Sequence, residues 1–302
     1  MRAFIHRNAD IEARNQDGVT TLWIAAERGQ LDVVKFLLDN NANIEAASWN
    51  KYTSLVIASQ RGHIDVVKFL LEKNANIEAS GRGGANCLLM ASSAGHAKVV
   101  KLLLDQNANT EARWEGVGIS PHGTSLIIAS KYGHLDVVRL LLEKNVNIEA
   151  TTPSNSTSLF LASMYGHVGV VQLLLDHGAN IDARSLRNGG TALINASEYG
   201  KLEIVKLLLD NGANIEASTP GGATSLWFAC DYGHIDIVKI LLEKNANIEA
   251  SAGGITCRAA ALRSRPSPYP DFAGRARGLW TYRGEIVGLL EERARQLNIV
   301  LS

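Results

Sequence analysis

The stretch GHIDVVKFLLEKNANIEA, residues 62–79, returns as GHLDVVRLLLEKNVNIEA at 133–150 and as GHIDIVKILLEKNANIEA at 233–250. Its local structure is legible. Gly62 permits a turn. From about Ile64 to Glu72 the run reads as a helix, with Asp65 in its first turn and Lys73 near its end, the polarity a helix dipole favours. Val66, Val67, Phe69, Leu70 and Leu71 are apolar almost all round, which predicts cover on more than one side. Asn74 ends the helix. Asn or Gly fills that slot throughout (Asn41, Asn74, Asn107, Asn145, Gly178, Gly212, Asn245), as a left-handed C-terminal cap requires. Just upstream, TSLVIAS (53–59) reads as a shorter helix with Thr53 as its N-cap. The ANIEA segment and the polar residues after it form an extended turn to the next unit.

Working outward, the opening Thr falls at 20, 53, 124, 157, 191, 224 and 256, with Asn86 in the equivalent slot. Successive steps are 33, 33, 38, 33, 34, 33 and 32 residues. A pair of short helices cannot bury this much apolar surface alone, so neighbouring pairs must stack into a linear solenoid.

The Thr-x-Leu opening, the central Gly-His, the Val-Val-x-Leu-Leu-Leu helix and the closing Ala-Asn-Ile-Glu-Ala resemble the ankyrin repeat family over about residues 1–257. The resemblance implies an all-α solenoid of helix-turn-helix repeats joined by extended β-turn loops. It also implies a protein-binding role. Full repeats are expected from about 20, 53, 86, 124, 157, 191 and 224, preceded by a half repeat at 1–19. Two departures stand out. The family commonly places Pro after the opening Thr, where this chain has Thr21, Ser54, Cys87, Ser125, Ser158, Ala192 and Ser225. It places His after the Leu, where this chain has Trp23, Val56, Leu89, Ile127, Phe160, Ile194 and Trp227. Weaker helix initiation and the loss of a polar link between units are expected.

Residues 258–302 read as a degenerate last repeat. Arg258 occupies a slot meant for a buried Leu, and the Gly-His pair is missing. A Pro- and Arg-rich insertion, RSRPSPYPDFAGRARGLW, reads as loop or disorder. RGEIVGLLEERARQL (283–297) reads as a displaced second helix with Glu291 replacing the last Leu and a solvated outer face.

Composition narrows the function. Formal net charge is zero, so the whole chain has no bias toward nucleic acid or an acidic membrane. No segment approaches the ~20 apolar residues of a membrane span. Cys87, Cys230 and Cys257 are few, odd in number and lack a CxxC pair, which suits a reducing compartment, cytoplasm or nucleus, rather than secretion. They read as small packed side chains. His63, His96, His134, His167 and His234 recur at one slot, but in different layers roughly 10 Å apart. That is too far to share a metal, so they read as polar residues opening the second helix. The glycines of GRGGAN (81–86) and TPGGAT (219–224) lack the Lys-Ser/Thr of a phosphate loop. No catalytic set, cofactor or small-molecule site is expected.

Specificity must then lie where units differ. One variable set is the turn tips, which include Trp49, Trp114 and a longer finger at Trp114–Gly123. The other is the pair before the central Gly, which ends in Arg28, Arg61, Ala94, Tyr132, Tyr165, Tyr199 and Tyr232. The resemblance places both sets on the concave surface that grips partner proteins or peptides. Tyr is enriched in binding hot spots. The competing reading is that Tyr before Gly-His is ordinary drift, packed partly on the next layer. Trp49 and Trp114, large aromatics on tips without a core role, add weight to binding. Two alternatives remain open: an Arg-rich tail that binds nucleic acid or an acidic surface, and a chain that is a fragment of a larger repeat protein.

Overall fold

The computed structural model describes residues 10–115, 122–186, 188–263 and 279–301, with side chains in the last segment from 283 onward. Most of the insertion read as loop or disorder, the first residues of the N-terminal half repeat and the end of the long finger lie outside the described residues. The chain divides into two compact units, Met1–Pro153 and Ser154–Ser302.

The first unit contains four helix pairs: α1 (Thr21–Glu27) with α2 (Leu31–Asp39), α3 (Ser54–Arg61) with α4 (Ile64–Glu72), α5 (Cys87–Ala94) with α6 (Ala97–Asp105), and α7 (Ser125–Tyr132) with α8 (Leu135–Leu142). The second contains α9 (Ser158–Tyr165) with α10 (Val168–Asp176), α11 (Ala192–Glu198) with α12 (Leu202–Asp210), α13 (Ser225–Tyr232) with α14 (Ile235–Glu243), and α15 (Cys257–Leu262) with α16 (Leu279–Leu297). Two tips form two-residue antiparallel ribbons. β1 (Trp114–Glu115) pairs with β2 (His122–Gly123), and β3 (Ser251–Ala252) with β4 (Ile255–Thr256).

The opening threonines cap their helices. Thr53 Oγ1 accepts the Val56 N–H, and Thr20, Thr157, Thr191, Thr224 and Thr256 act alike, with Asn86 doing so through its amide oxygen. Thr124, which follows the long finger, makes no such bond. At the far end of the second helices the left-handed residues appear as expected, Asn74 at φ 62° and Gly212 at φ 82° among them.

Within each unit, first helices pack on first helices and second helices on second helices, in chain order. Cover is distributed differently from the sequence expectation. In α3 every residue from Ser54 to Ser59 is buried, whereas in α4 Val66, Val67 and Leu70 are buried but Phe69 and Leu71 are only half-buried. The reason is position. A first helix is flanked by two other first helices and its own partner. A second helix keeps an outer face in water, where Lys68 is exposed. Each fully covered Leu, such as Leu103, contributes roughly 1.5–3 kcal/mol of transfer free energy.

The recurrent Asn-Ile-Glu has a backbone role. Asn76 Oδ1 accepts the Glu78 N–H at 3.0 Å, closing a local turn. Glu78 Oε1 then accepts the Asn109 N–H of the next repeat at 2.7 Å. Glu12 to Asn43 and Glu45 to Asn76 repeat the link at 2.7 Å, and in the second unit Asp182 to Asn214 and Glu216 to Asn247 make it at 3.1 and 2.8 Å. A carboxylate carried by one turn thus satisfies a backbone donor of the next.

In the last pair, α16 packs on α14 and α15 and buries Ile286, Leu290 and Ala294. The two sequence departures there meet each other. Arg258 Nε donates to Glu291 Oε1 at 3.2 Å. Both side chains are well exposed, so the pair contributes about 0–1 kcal/mol.

Candidate partner-binding surface

Each residue before the central Gly sits at the end of a first helix, where the backbone has already turned away from the core. Arg61, Tyr132, Tyr165 and Tyr232 are the last helical residues, and Arg28 and Tyr199 are the residues that follow. Arg28 and Arg61 are exposed, and the Arg61 guanidinium donates to Glu27 at 2.7 Å. Tyr132 is 42% exposed, with the Lys131 ammonium 5.4 Å above its ring and the His134 ring 6.1 Å away. Burial pushes the Lys131 ammonium below its ordinary pKa.

In the second unit α9, α11 and α13 lie side by side, so Tyr165, Tyr199 and Tyr232 occupy equivalent places in successive layers, roughly 10 Å apart. Tyr165 is 45% exposed, while Tyr199 and Tyr232 are half-buried. Tyr232 stacks on Phe228 at 6.3 Å and on His234 at 6.3 Å, and Phe228 meets the buried Trp227 edge-on at 5.3 Å. This Tyr packs on two rings of its own repeat and stays half-buried. Packing on its own His is a feature that both the drift reading and the binding reading accommodate.

The tips carry aromatic rings laid on glycines. The Trp49 indole lies against Gly18 of the preceding tip, where an added Cβ would come within 2.4 Å of the ring. Its Nε1 donates to the Gln16 carbonyl at 3.1 Å, and the Arg14 guanidinium lies 5.9 Å from the ring centre. Trp49 is still 68% exposed. Trp114, half-buried in β1, approaches Gly83 more loosely: an added Cβ there would lie 3.3 Å from its ring and 3.0 Å from the Glu115 carbonyl oxygen. Both tryptophans thus have a structural role between tips that sequence reasoning did not assign. In Tyr52, which covers Gly81, burial raises the phenol pKa and nearby Arg82 opposes the rise.

Three links between layers were also not read from sequence. The central His is a rivet: Nε2 of His63, His96, His134 and His234 lies 2.8–3.0 Å from the carbonyl oxygens of Glu27, Gln60, Ser93 and Glu198 of the preceding repeats. A carbonyl only accepts, so Nε2 carries the proton. The expected loss of a polar link at the slot after Leu is corrected in two repeats. Trp23 Nε1 donates to the Tyr52 carbonyl at 3.0 Å and Trp227 Nε1 to the Ile255 carbonyl at 2.8 Å. Finally, Arg14 and Arg184 donate to Ala47 and Ser218 carbonyls of the following tips. The signal in sequence was recurrence, but recurrence does not say which backbone oxygen a ring will find.

No reactive centre emerges among the described residues. No group of three or more His, Cys, Asp or Glu side chains is placed to hold a metal. All three cysteines are free and buried. Burial, reinforced by Glu78, pushes the Cys87 thiol up to about 12. Cys230 is raised by its hydrogen bond with Cys257 and by burial. Thiols held in the neutral form are poor nucleophiles. No described helix is long and apolar enough to cross a membrane.

Comparison with known proteins agrees with this geometry. The family model for ankyrin repeats (3 copies) matches residues 1–81, 50–113, 88–185 and 159–252. Among solved structures, the human ASB11 ankyrin repeat domain is similar at 30% sequence identity and a TM-score of 0.62, covering 69% of this chain and 90% of that one. No curated protein matches. Helix pairs capped by Thr, riveted by His and stacked within each unit, together with a family match across residues 1–252, lead to one conclusion: the chain belongs to the ankyrin repeat family, and its fold is the all-α ankyrin solenoid.

Proposed function

We propose that this protein is a non-enzymatic adaptor that holds a partner protein or peptide on its helix-end tyrosines and turn tips. Ankyrin repeats are generally protein–protein interaction modules. The observation that carries the finer reading is a division of labour. Residues common to the repeats satisfy the backbone and fill the core, while Tyr132 and Tyr165 stay 42% and 45% exposed at positions where other repeats carry Arg or Ala. Tyr buries a large area at low conformational cost, the property of binding hot spots. Three free, buried thiols support a reducing compartment, cytoplasm or nucleus.

Nucleic-acid binding by the C-terminal arginines is the weaker reading. Arg258 is paired with Glu291, Arg293 donates to Asn245 and Arg283 is buried. The test is affinity capture with mass spectrometry, comparing wild type with a variant in which Tyr132, Tyr165, Tyr199 and Tyr232 are all Ala. Partners enriched by wild type should fall about tenfold or more with the variant, whose helical circular dichroism is unchanged. Equal enrichment by both would remove the tyrosines from the interface.

A further inference from the structure

The tips of the first unit carry a charge pattern that the tips of the second do not. Arg14, Lys51, Arg82 and Arg113 stand one on each of four successive tips, all exposed. None of them makes an ion pair among the described residues. Glu12, Glu45, Glu78 and Glu111, two to six residues upstream, keep their charge but each accepts a backbone N–H of the next repeat. Among the described residues of these tips only Asp17 and Glu115 add exposed negative charge, and His122 adds a further titratable ring. The described tip residues of the second unit offer one such cation, Arg184.

These tips are joined into one ribbon. The Trp49 N–H donates to the Asp17 carbonyl at 3.3 Å and its indole to Gln16, tying tip one to tip two. The Arg82 N–H donates to the Asn50 carbonyl at 2.9 Å, tying tip two to tip three. Gly83 and Gly84 admit the Glu115 and Arg113 carbonyls, at 3.0 and 2.8 Å from where a Cβ would stand, bringing tip four against tip three. A surface fixed this way loses little freedom on binding. Trp49 lies open on it, its plane set by Gly18 and Arg14.

Building on the adaptor reading, we propose that the turn tips of residues 14–115 are the docking surface for an extended acidic peptide, whose carboxylates meet Arg14, Lys51, Arg82 and Arg113 and whose one large apolar side chain stacks on Trp49. Spacing supports a peptide. Tips repeat at about 10 Å, the layer distance, and a polyproline II chain rises about 3.1 Å per residue with three residues per turn, so every third residue faces a new cation. A polyproline II peptide of about 10 residues spans the four tips. Single-stranded nucleic acid also combines charge with stacking. It suits this surface less well, because its phosphates form a continuous row whereas Asp17 and Glu115 interrupt the cations.

The experiment uses the full chain and fluorescence anisotropy at low salt. The probe is a labelled peptide of about 12 residues with Glu at every third position, Pro and Ser between and one central Leu. Controls are the same peptide with Gln for Glu and a labelled oligothymidylate of similar length. Lys51→Glu with Arg82→Glu should weaken Glu-peptide binding about tenfold or more, and added salt should weaken it in wild type. Lys51 and Arg82 are chosen because their side chains cap no neighbouring tip. Trp49→Ala, whose folding is checked by circular dichroism, should weaken it independently. Reversal of two exposed charges on the second helices of the same unit, Lys68→Glu with Lys98→Glu, should leave peptide binding as in wild type. Equal binding of the Gln peptide, no effect of the tip charge reversal, or tighter binding of the oligothymidylate would each overturn the proposal. Loss of peptide binding in the four-tyrosine variant with retention in the tip-reversed one would also overturn it, while leaving the adaptor reading standing. Partner capture that depends on the tyrosines, with no peptide binding at all, would separate the two in the same sense.

Discussion

Nε2 of His96 lies 2.9 Å from the carbonyl oxygen of Gln60, one repeat back, and its ring rests on Gly62. The pair explains why Gly and His recur together. The glycine turns with φ +78°, and a Cβ there would sit 2.6 Å from the ring. His96→Ala leaves a partly buried carbonyl unsatisfied and should cost about 1–2 kcal/mol in urea unfolding. Gly62→Ala adds left-handed strain and a clash, at about 1–3 kcal/mol. In the double variant the clash is gone but the strain remains, so the costs should be less than additive. Simple additivity would show that ring and glycine are independent.

A second prediction concerns the Glu that links turns. Glu45→Ala removes the acceptor for the Asn76 N–H and should destabilise by about 1 kcal/mol, an estimate kept low because the site is exposed. Glu45→Gln keeps an acceptor oxygen and should cost less. If Gln and Ala were equally costly, the hydrogen bond to Asn76 would not be what the Glu supplies.

The fold was legible because its cause is local and repeated. Thr caps, left-handed Asn or Gly and the apolar second helix each announce themselves within a few residues, and stacking follows because one pair cannot cover itself. The links between layers were hidden for the opposite reason. His63 to Glu27, Trp23 to Tyr52 and Glu45 to Asn76 join residues 29–36 positions apart, and sequence pattern does not specify such geometry. Trp49 shows the same limit. It looked like a free aromatic tip, yet it is also a strut on Gly18. Arg258 and Glu291 read as two separate faults in the last repeat, yet their side chains meet from 33 positions apart.

A third prediction is a pH dependence from His234. Burial holds its pKa below the ordinary 6.5, the hydrogen bond to Glu198 partly opposes this, and the charge of Lys201 lowers it further. The unfolded state therefore binds a proton more readily than the folded state, so stability rises with pH across this window. The contribution is present above about 6.5 and is lost as pH falls from there through the lower folded value. The midpoint urea concentration should drop on acidification from neutral, and His234→Gln should flatten that drop. An equal slope in the variant would assign the pH dependence to other groups.

The most direct measurement is far-ultraviolet circular dichroism of a synthetic single repeat, residues 53–85, beside the whole chain. Two short helices that depend on neighbouring layers for cover should be largely unfolded alone, since isolated helices below about 12 residues are marginal in water. The repeat should show little helix while the whole chain shows the content of a stacked solenoid. A single repeat as helical per residue as the whole chain would contradict the claim that shared burial holds each pair folded.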